Sequence, residues 1–302
     1  MRKAEVQSGQ SDRKAGAWGQ CLATRPTKVA ATALFLLVVM AGRSPVVTEI
    51  SPWNMGDGFR HVYLDLGTNI GVQIRKLYEP ELYPNAGVHE FFDEWFEKVG
   101  DRKNTVCAYG FEPDPSHSQR LKEIEAVYRS RGFCVRIFTQ TAIGTRDTMV
   151  TLYQDKDIKH QRWSSSVVMS RNMDLSSRSS YNVNSINASR LVESVSERCC
   201  WDDAFPTRKK PAIVMKMDIE GAEYEVIPQL IKTGMICRID LIFVEWHIQH
   251  KNFPSSLQAK ARRKQEQLYR AVKMCPRPPV ISDYDDESYL SDGQPLRHQL
   301  KK

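Results

Sequence analysis

An α/β fold, a mostly parallel sheet with helices on both faces, is predicted by three features of this 302-residue sequence. Strand-like and helix-like segments alternate after residue 60, as they do in repeated β-α-β units. Several strand-like runs are apolar throughout rather than at every second residue, which suits strands buried on both faces. Their charged residues gather at the C-terminal ends, where open α/β sheets bind ligands. With 41% apolar residues the chain can bury one sizeable core, so one domain with appendages is expected.

The chain opens with a basic polar tail, residues 1–28, ahead of the uncharged run VAATALFLLVVMAG from Val29 to Gly42. Residues 1–43 carry +5 of the net charge of +7, leaving +2 for the rest. That even balance, without an aromatic and basic groove, argues against a nucleic-acid partner. The apolar run is 14 residues long, short of the roughly 20 that span a bilayer. Three alternatives compete for 29–47: a signal-anchor, a signal peptide cleaved after Ala41, and an organelle presequence or buried helix. The anchor is preferred, because the 28 polar residues before it are very long for a cleaved signal. Basic residues on its N-terminal side predict a single-pass type II protein of the secretory pathway, with residues 48–302 in the lumen; cleavage would make it secreted.

Asn187-Ala188-Ser189 is a glycosylation sequon. Of seven cysteines, Cys107, Cys134 and Cys237 lie in or beside apolar runs and are expected as buried thiols, whereas Cys199, Cys200 and Cys275 are candidates for disulfides. An odd total leaves at least one unpaired within the chain.

Strands are expected near 61–66, 106–112, 133–138, 148–153, 212–218 and 240–246. The first ends in HVYLDLGTNIG, His61 to Gly71, with Gly67 breaking the strand and Thr68 or Asn69 capping the next helix. Asp65 is costly at the end of a buried strand unless a cation or donors meet it. The helix N-terminus beside it suits an anion. A ligand bearing an ammonium or sulfonium and a carboxylate satisfies both, as S-adenosylmethionine does. A dinucleotide fold would need G-x-G-x-x-G, but only Gly67 and Gly71 stand here, and Asp65 would repel a pyrophosphate.

That helix ends near Pro80, a turn follows at Pro84, Asn85 and Gly87, and Val88–Val99 forms an amphipathic helix, an extra core or substrate-side element. The second strand closes in GFEPDP, placing Glu112 where a carboxylate accepts from a ribose diol. It stands 41 residues after Gly71, rather than roughly 20, and the inserted aromatic helix accounts for the excess. Residues 164–196, rich in serine and asparagine, are expected as a long loop. In the next strand Lys216, Asp218 and Glu220 share a face if the chain stays extended; the bland alternative is a Lys-Asp pair that only stitches the sheet edge. Glu245 and His247 close the strand after it, so charges from neighbouring strands meet at one rim. The segment from Pro276 is expected to add a short hairpin to the sheet.

Taken together, VYLDLGTNIG, GFEPDP, TAIGT at Thr141 to Thr145, VMKMDIEGAEYEVI and FVEWH resemble the FkbM-type methyltransferases, in order over roughly residues 60–250. The resemblance implies a Rossmann-like, class I methyltransferase sheet of seven strands and S-adenosylmethionine-dependent methylation of hydroxyl groups, often on sugars or other small metabolites. It implies that Asp65, Gly67, Asn69 and Gly71 line the methionine end of the cofactor, that Glu112 meets the ribose, and that the adenine pocket lies near Asp114 and Ala142. The inserted helix and the N-terminal apolar segment depart from the family pattern, and the small-molecule or glycan acceptor does not follow from it.

Methyl transfer to oxygen needs an in-line approach and a base. Asp218 and His247 are the candidate bases, Lys216 holds the acceptor oxygen or lowers a neighbour's pKa, and Glu220 and Glu245 orient either. A divalent metal on Asp218, Glu220, Glu245 and His247 is chemically reasonable but not favoured, and no metal ligand is assigned. Two rivals stand beside this function: an RNA 2'-hydroxyl methyltransferase, and a membrane-tethered binding protein that keeps the fold without turnover. The sequence assigns no oligomeric state.

Overall fold

The computed structural model describes residues 58–154, 165–166, 179–199, 210–247, 255–283 and 292–297, all within the unit running from Glu49 to Lys302. The apolar segment 29–47 lies outside the described residues; among these, no helix is long and apolar enough to cross a membrane.

The chain forms β1 (His61–Leu66), α1 (Val72–Tyr78), α2 (Val88–Trp95), α3 (Val99–Thr105), β2 (Val106–Glu112), α4 (Ser118–Ser130), β3 (Cys134–Thr139), β4 (Thr141–Gly144) and β5 (Thr148–Gln154). It continues through β6 (Ser165–Ser166), β7 (Ser179–Asn187), α5 (Ala188–Arg198), β8 (Ala212–Met217), α6 (Glu223–Lys232), β9 (Leu241–Val244), α7 (Ser255–Val272) and β10 (Val280–Ser282). Six strands in the order β10-β9-β8-β1-β2-β3 make a wholly parallel sheet. β1 lies at its centre, and every residue of it is buried.

Side-chain alternation divides the core in two. Tyr63, Ala108 and Val214 face α1, α2 and α4, whereas Leu64, Leu66, Phe111 and Met215 face α5, α6 and α7. Helices therefore cover both faces, as expected. The expected helix over 88–99 is interrupted: α2 ends at Trp95 and Phe96 turns extended, so that Phe92 and Phe96 pack edge-on against Tyr63. Pro228 inside α6 cannot donate to the carbonyl of Tyr224. Lys264 Nζ from α7 donates to it instead, at 2.5 Å.

Three expectations are corrected. Residues 164–196 are not one loop: β7 pairs with β4 and β5 in a second, four-stranded sheet, and α5 begins at Ala188. Among the described residues, the sequence from Pro276 adds one strand, β10, which pairs in parallel with β9 rather than forming a hairpin. Cys107 pairs with Cys134 across neighbouring strands and Cys237 pairs with Cys275, so three expected thiols are disulfides; Cys199 is disulfide-bonded, as proposed for it.

The sequon asparagine has a structural task. Asn187 Oδ1 accepts from the backbone N–H groups of Ser189 (2.9 Å) and Arg190 (3.3 Å), capping α5. Asn187→Ala is expected to lower unfolding free energy by about 1 kcal/mol in a urea titration; an unchanged midpoint would remove this role.

Candidate active site

The site is built where β1, β2 and β8 end. Gly67 has φ +82, and a Cβ there would lie 1.7 Å from the Asp218 carbonyl oxygen. Only glycine lets these two strand ends touch. The N–H groups of Gly67 and Thr68 both donate to the Phe111 carbonyl at 3.0 Å, locking the turn onto β2. Asn69 is left-handed at φ 52, and its N–H donates to Glu112 Oε2 at 2.6 Å. Glu112 Oε1 accepts from the Asp114 N–H at 2.8 Å, so one carboxylate pins both turns. Neither Thr68 nor Asn69 caps α1. Gly71 precedes the helix in a left-handed conformation without a side-chain cap, while the Thr68 hydroxyl donates to the Asp65 carbonyl. A Cβ at Gly71 would meet Ile124 Cδ1 at 2.7 Å.

A cavity of about 340 Å³ opens between these turns and the second sheet. Its wall contains Gly67, Asn69, Glu112 and Asp114 on the β1 and β2 side, Ala142 on β4, and Asp218 and Glu220 after β8. Phe111, Ile143, Val150 and Leu152 supply apolar lining. His117, which the sequence did not single out, also lines it, 3.6 Å from Glu112. Burial would lower the pKa of His117, but the Glu112 carboxylate raises it.

Asp65, Gly71, Lys216, Glu245 and His247 are not in that wall. For Asp65 the reason is strand phase: it follows Tyr63 onto the α1, α2 and α4 face, behind the turn. Its side chain is fully buried, with no hydrogen bond to either oxygen among the described residues and Lys216 Nζ at 4.0 Å. Burial pushes its pKa up to about 7, although Lys216 works in the opposite direction. A carboxyl raised above its unfolded value stabilises the fold below that value, and the contribution is lost as pH rises through the folded pKa. The unfolding free energy of the native chain is therefore expected to fall relative to Asp65→Asn between about pH 5 and about pH 8, by on the order of a few kcal/mol. A difference that stays constant with pH would contradict an uncompensated Asp65.

The rim above holds the remaining charges. β8 stops at Met217, and Glu220 (φ 56) and Gly221 (φ 99) turn the chain, so Lys216, Asp218 and Glu220 are not one extended row. Lys216 Nζ donates to Asp218 Oδ2 at 2.7 Å and to the Gly67 carbonyl at 3.1 Å. His247 Nε2 lies 3.4 Å from Asp218 Oδ1, 3.6 Å from Glu220 Oε2 and 3.2 Å from Glu245 Oε1. Burial works against the charge on Asp218, yet Lys216 and His247 hold its carboxyl below the usual range. Burial pushes Glu220 up. It would also lower His247, but Glu220, Glu223 and Glu245 raise the imidazole well above its ordinary value.

Glu223 completes the set and was missed as a site residue. Fully buried at the start of α6, it accepts at Oε1 from the backbone N–H of His247 and faces His247 Nδ1, both at 3.1 Å, and at Oε2 from the Gly221 N–H. The signal was an acid in the first turn of a helix that must bury that turn against the sheet.

Comparison with known proteins adds to this geometry. The methyltransferase FkbM domain model matches residues 65–270. A solved structure of methyltransferase FkbM from Methylobacillus flagellatus KT is similar, at 13% identity and a TM-score of 0.33, over 68% of this chain and 36% of that one. No curated protein matches the chain.

Proposed function

The chain belongs to the FkbM methyltransferase family, and on that premise we propose that it transfers the methyl group of S-adenosylmethionine to a hydroxyl oxygen of a small-molecule or glycan acceptor. The observation that carries this reading is the cavity itself, which brings the glycine turn after β1, the Glu112 carboxylate at the end of β2 and Asp218 after β8 into one wall. Its volume lies within the range of small-ligand sites.

S-adenosylmethionine supplies a methyl group on a sulfonium, an electrophile that an oxygen must approach in line. Glu112 accepts one N–H at each oxygen, so each keeps a lone pair for a diol. The Gly67 turn presents backbone to the cavity and lets the end of β8 close against it. Asp218, ionised and fixed by Lys216, accepts the acceptor's proton. Without an ion in the site, His247 stays protonated among carboxylates and contributes positive charge beside Asp218.

Placement in the secretory pathway is part of the proposal, with residues 29–47 as the membrane anchor. The disulfides Cys107–Cys134 and Cys237–Cys275 support it, since such bonds persist in oxidising compartments. The test is release of S-adenosylhomocysteine by the full chain when labelled S-adenosylmethionine is offered with sugars and small hydroxyl compounds. Acceptor-dependent release is expected. A folded chain that binds S-adenosylmethionine but methylates nothing would favour the tethered binding protein.

A further inference from the structure

We propose that Asp218, Glu220 and His247 form a binding site for one divalent cation, best matched by Mn²⁺, at the rim of the cavity. Asp218 Oδ1, Glu220 Oε2 and His247 Nε2 lie within 4.8 Å of one another. The imidazole nitrogen is 3.4 and 3.6 Å from the two carboxylate oxygens. Bonds of about 2.1 Å to one octahedral ion would set such neighbours about 3 Å apart, so the two gaps at the imidazole close with a shift of about half an ångström.

The orientation of His247 is the second observation. Its Nδ1 faces the fully buried Glu223, whose Oε1 also accepts from the His247 backbone N–H. A carboxylate behind the ring fixes the tautomer and aims Nε2 outward, the arrangement that supports metal-bound histidine. Nε2 here is aimed at three carboxylates, the third being Glu245 at 3.2 Å. Four carboxyl groups, Asp218, Glu220, Glu223 and Glu245, lie within 3.6 Å of the His247 ring nitrogens. A divalent ion takes the place of the His247 proton among them. One imidazole among carboxylates suits Mn²⁺, and Asp218 and Glu220 both face the cavity, so open coordination positions would point into it. An acceptor hydroxyl or diol would bind there and lose its proton more readily; this use rests on the methyltransferase reading, but the ion site does not.

The experiment is a titration of the full chain with Mn²⁺ in the absence of S-adenosylmethionine, followed by the electron paramagnetic resonance signal of free Mn²⁺. One ion per chain is expected. Glu223→Gln should weaken binding by roughly 10- to 100-fold, as loss of a carboxylate supporting a ligand does. Glu220→Gln, an isosteric change on the cavity wall, should weaken it by about 10-fold or more, and the surface control Glu123→Gln should leave it unchanged. No saturable binding, or binding that Glu220→Gln leaves intact, overturns the site. S-adenosylmethionine binding is titrated separately on the same chain. Binding of the sulfonium compound without Mn²⁺ removes the ion alone, and binding of Mn²⁺ without it removes the methyltransferase reading alone.

Discussion

Asp218→Asn is expected to reduce methyl transfer by roughly 10²- to 10⁴-fold, equivalent to about 3–5 kcal/mol of lost transition-state stabilisation, while S-adenosylmethionine still binds. The substitution keeps the shape of the side chain and the backbone contact with Gly67, so the cavity wall persists. It removes the negative charge that Lys216 holds at 2.7 Å and that lies 3.4 Å from His247. An amide cannot accept the proton of an attacking hydroxyl. The discriminating observation is the split between turnover and affinity: equal losses in both would mean that Asp218 serves only the wall, and undiminished turnover would exclude it as base.

Gly67→Ala is expected to act through the fold. Its Cβ would fall 1.7 Å from the Asp218 carbonyl oxygen, a backbone atom that cannot swing aside, at a φ of +82 that alanine disfavours. Relief requires the ends of β1 and β8 to separate, which breaks the Lys216 bond to the Gly67 carbonyl and the Asp218 N–H bond to Leu66. Overpacking and the left-handed backbone together cost about 3 kcal/mol or more. Urea unfolding should show that loss, and S-adenosylmethionine affinity should fall by at least about 100-fold, since about 3 kcal/mol corresponds to that factor. A variant of native stability that binds normally would show that the turn gives way without cost.

Much of the main sheet was legible because its strands are apolar on both faces. β1 and β2 fall at the expected residues, and β8 differs by one residue at its end. The second sheet was hidden for a physical reason. β7 is SSYNVNSIN, in which Val183 and Ser185 turn inward at alternate positions, but serine and asparagine dilute the apolar signal below that of a strand. The helix that follows was equally masked, although Leu191, Val192 and Val195 recur at helical spacing and Asn187 caps it.

At the site, the polar positions were legible by type and the partners were not. Glu112, Asp218 and Glu220 reached the cavity as expected, but sequence alone does not tell which face of β1 Asp65 takes once Tyr63 has gone to the helices. Glu223 and His117 needed the third dimension, since each acts by meeting a residue distant in the chain or across a turn. The disulfide between Cys107 and Cys134 depended on the register that sets the two strands side by side.

The most direct measurement of the central claim is calorimetric titration of the full chain with S-adenosylmethionine, alongside Glu112→Ala. The native chain is expected to bind one molecule at micromolar affinity or tighter. Loss of the carboxylate that joins the Asn69 and Asp114 turns should weaken that binding by about 100-fold. No heat of binding from a folded native chain, or equal affinity in the variant, would contradict the assignment of this cavity to S-adenosylmethionine.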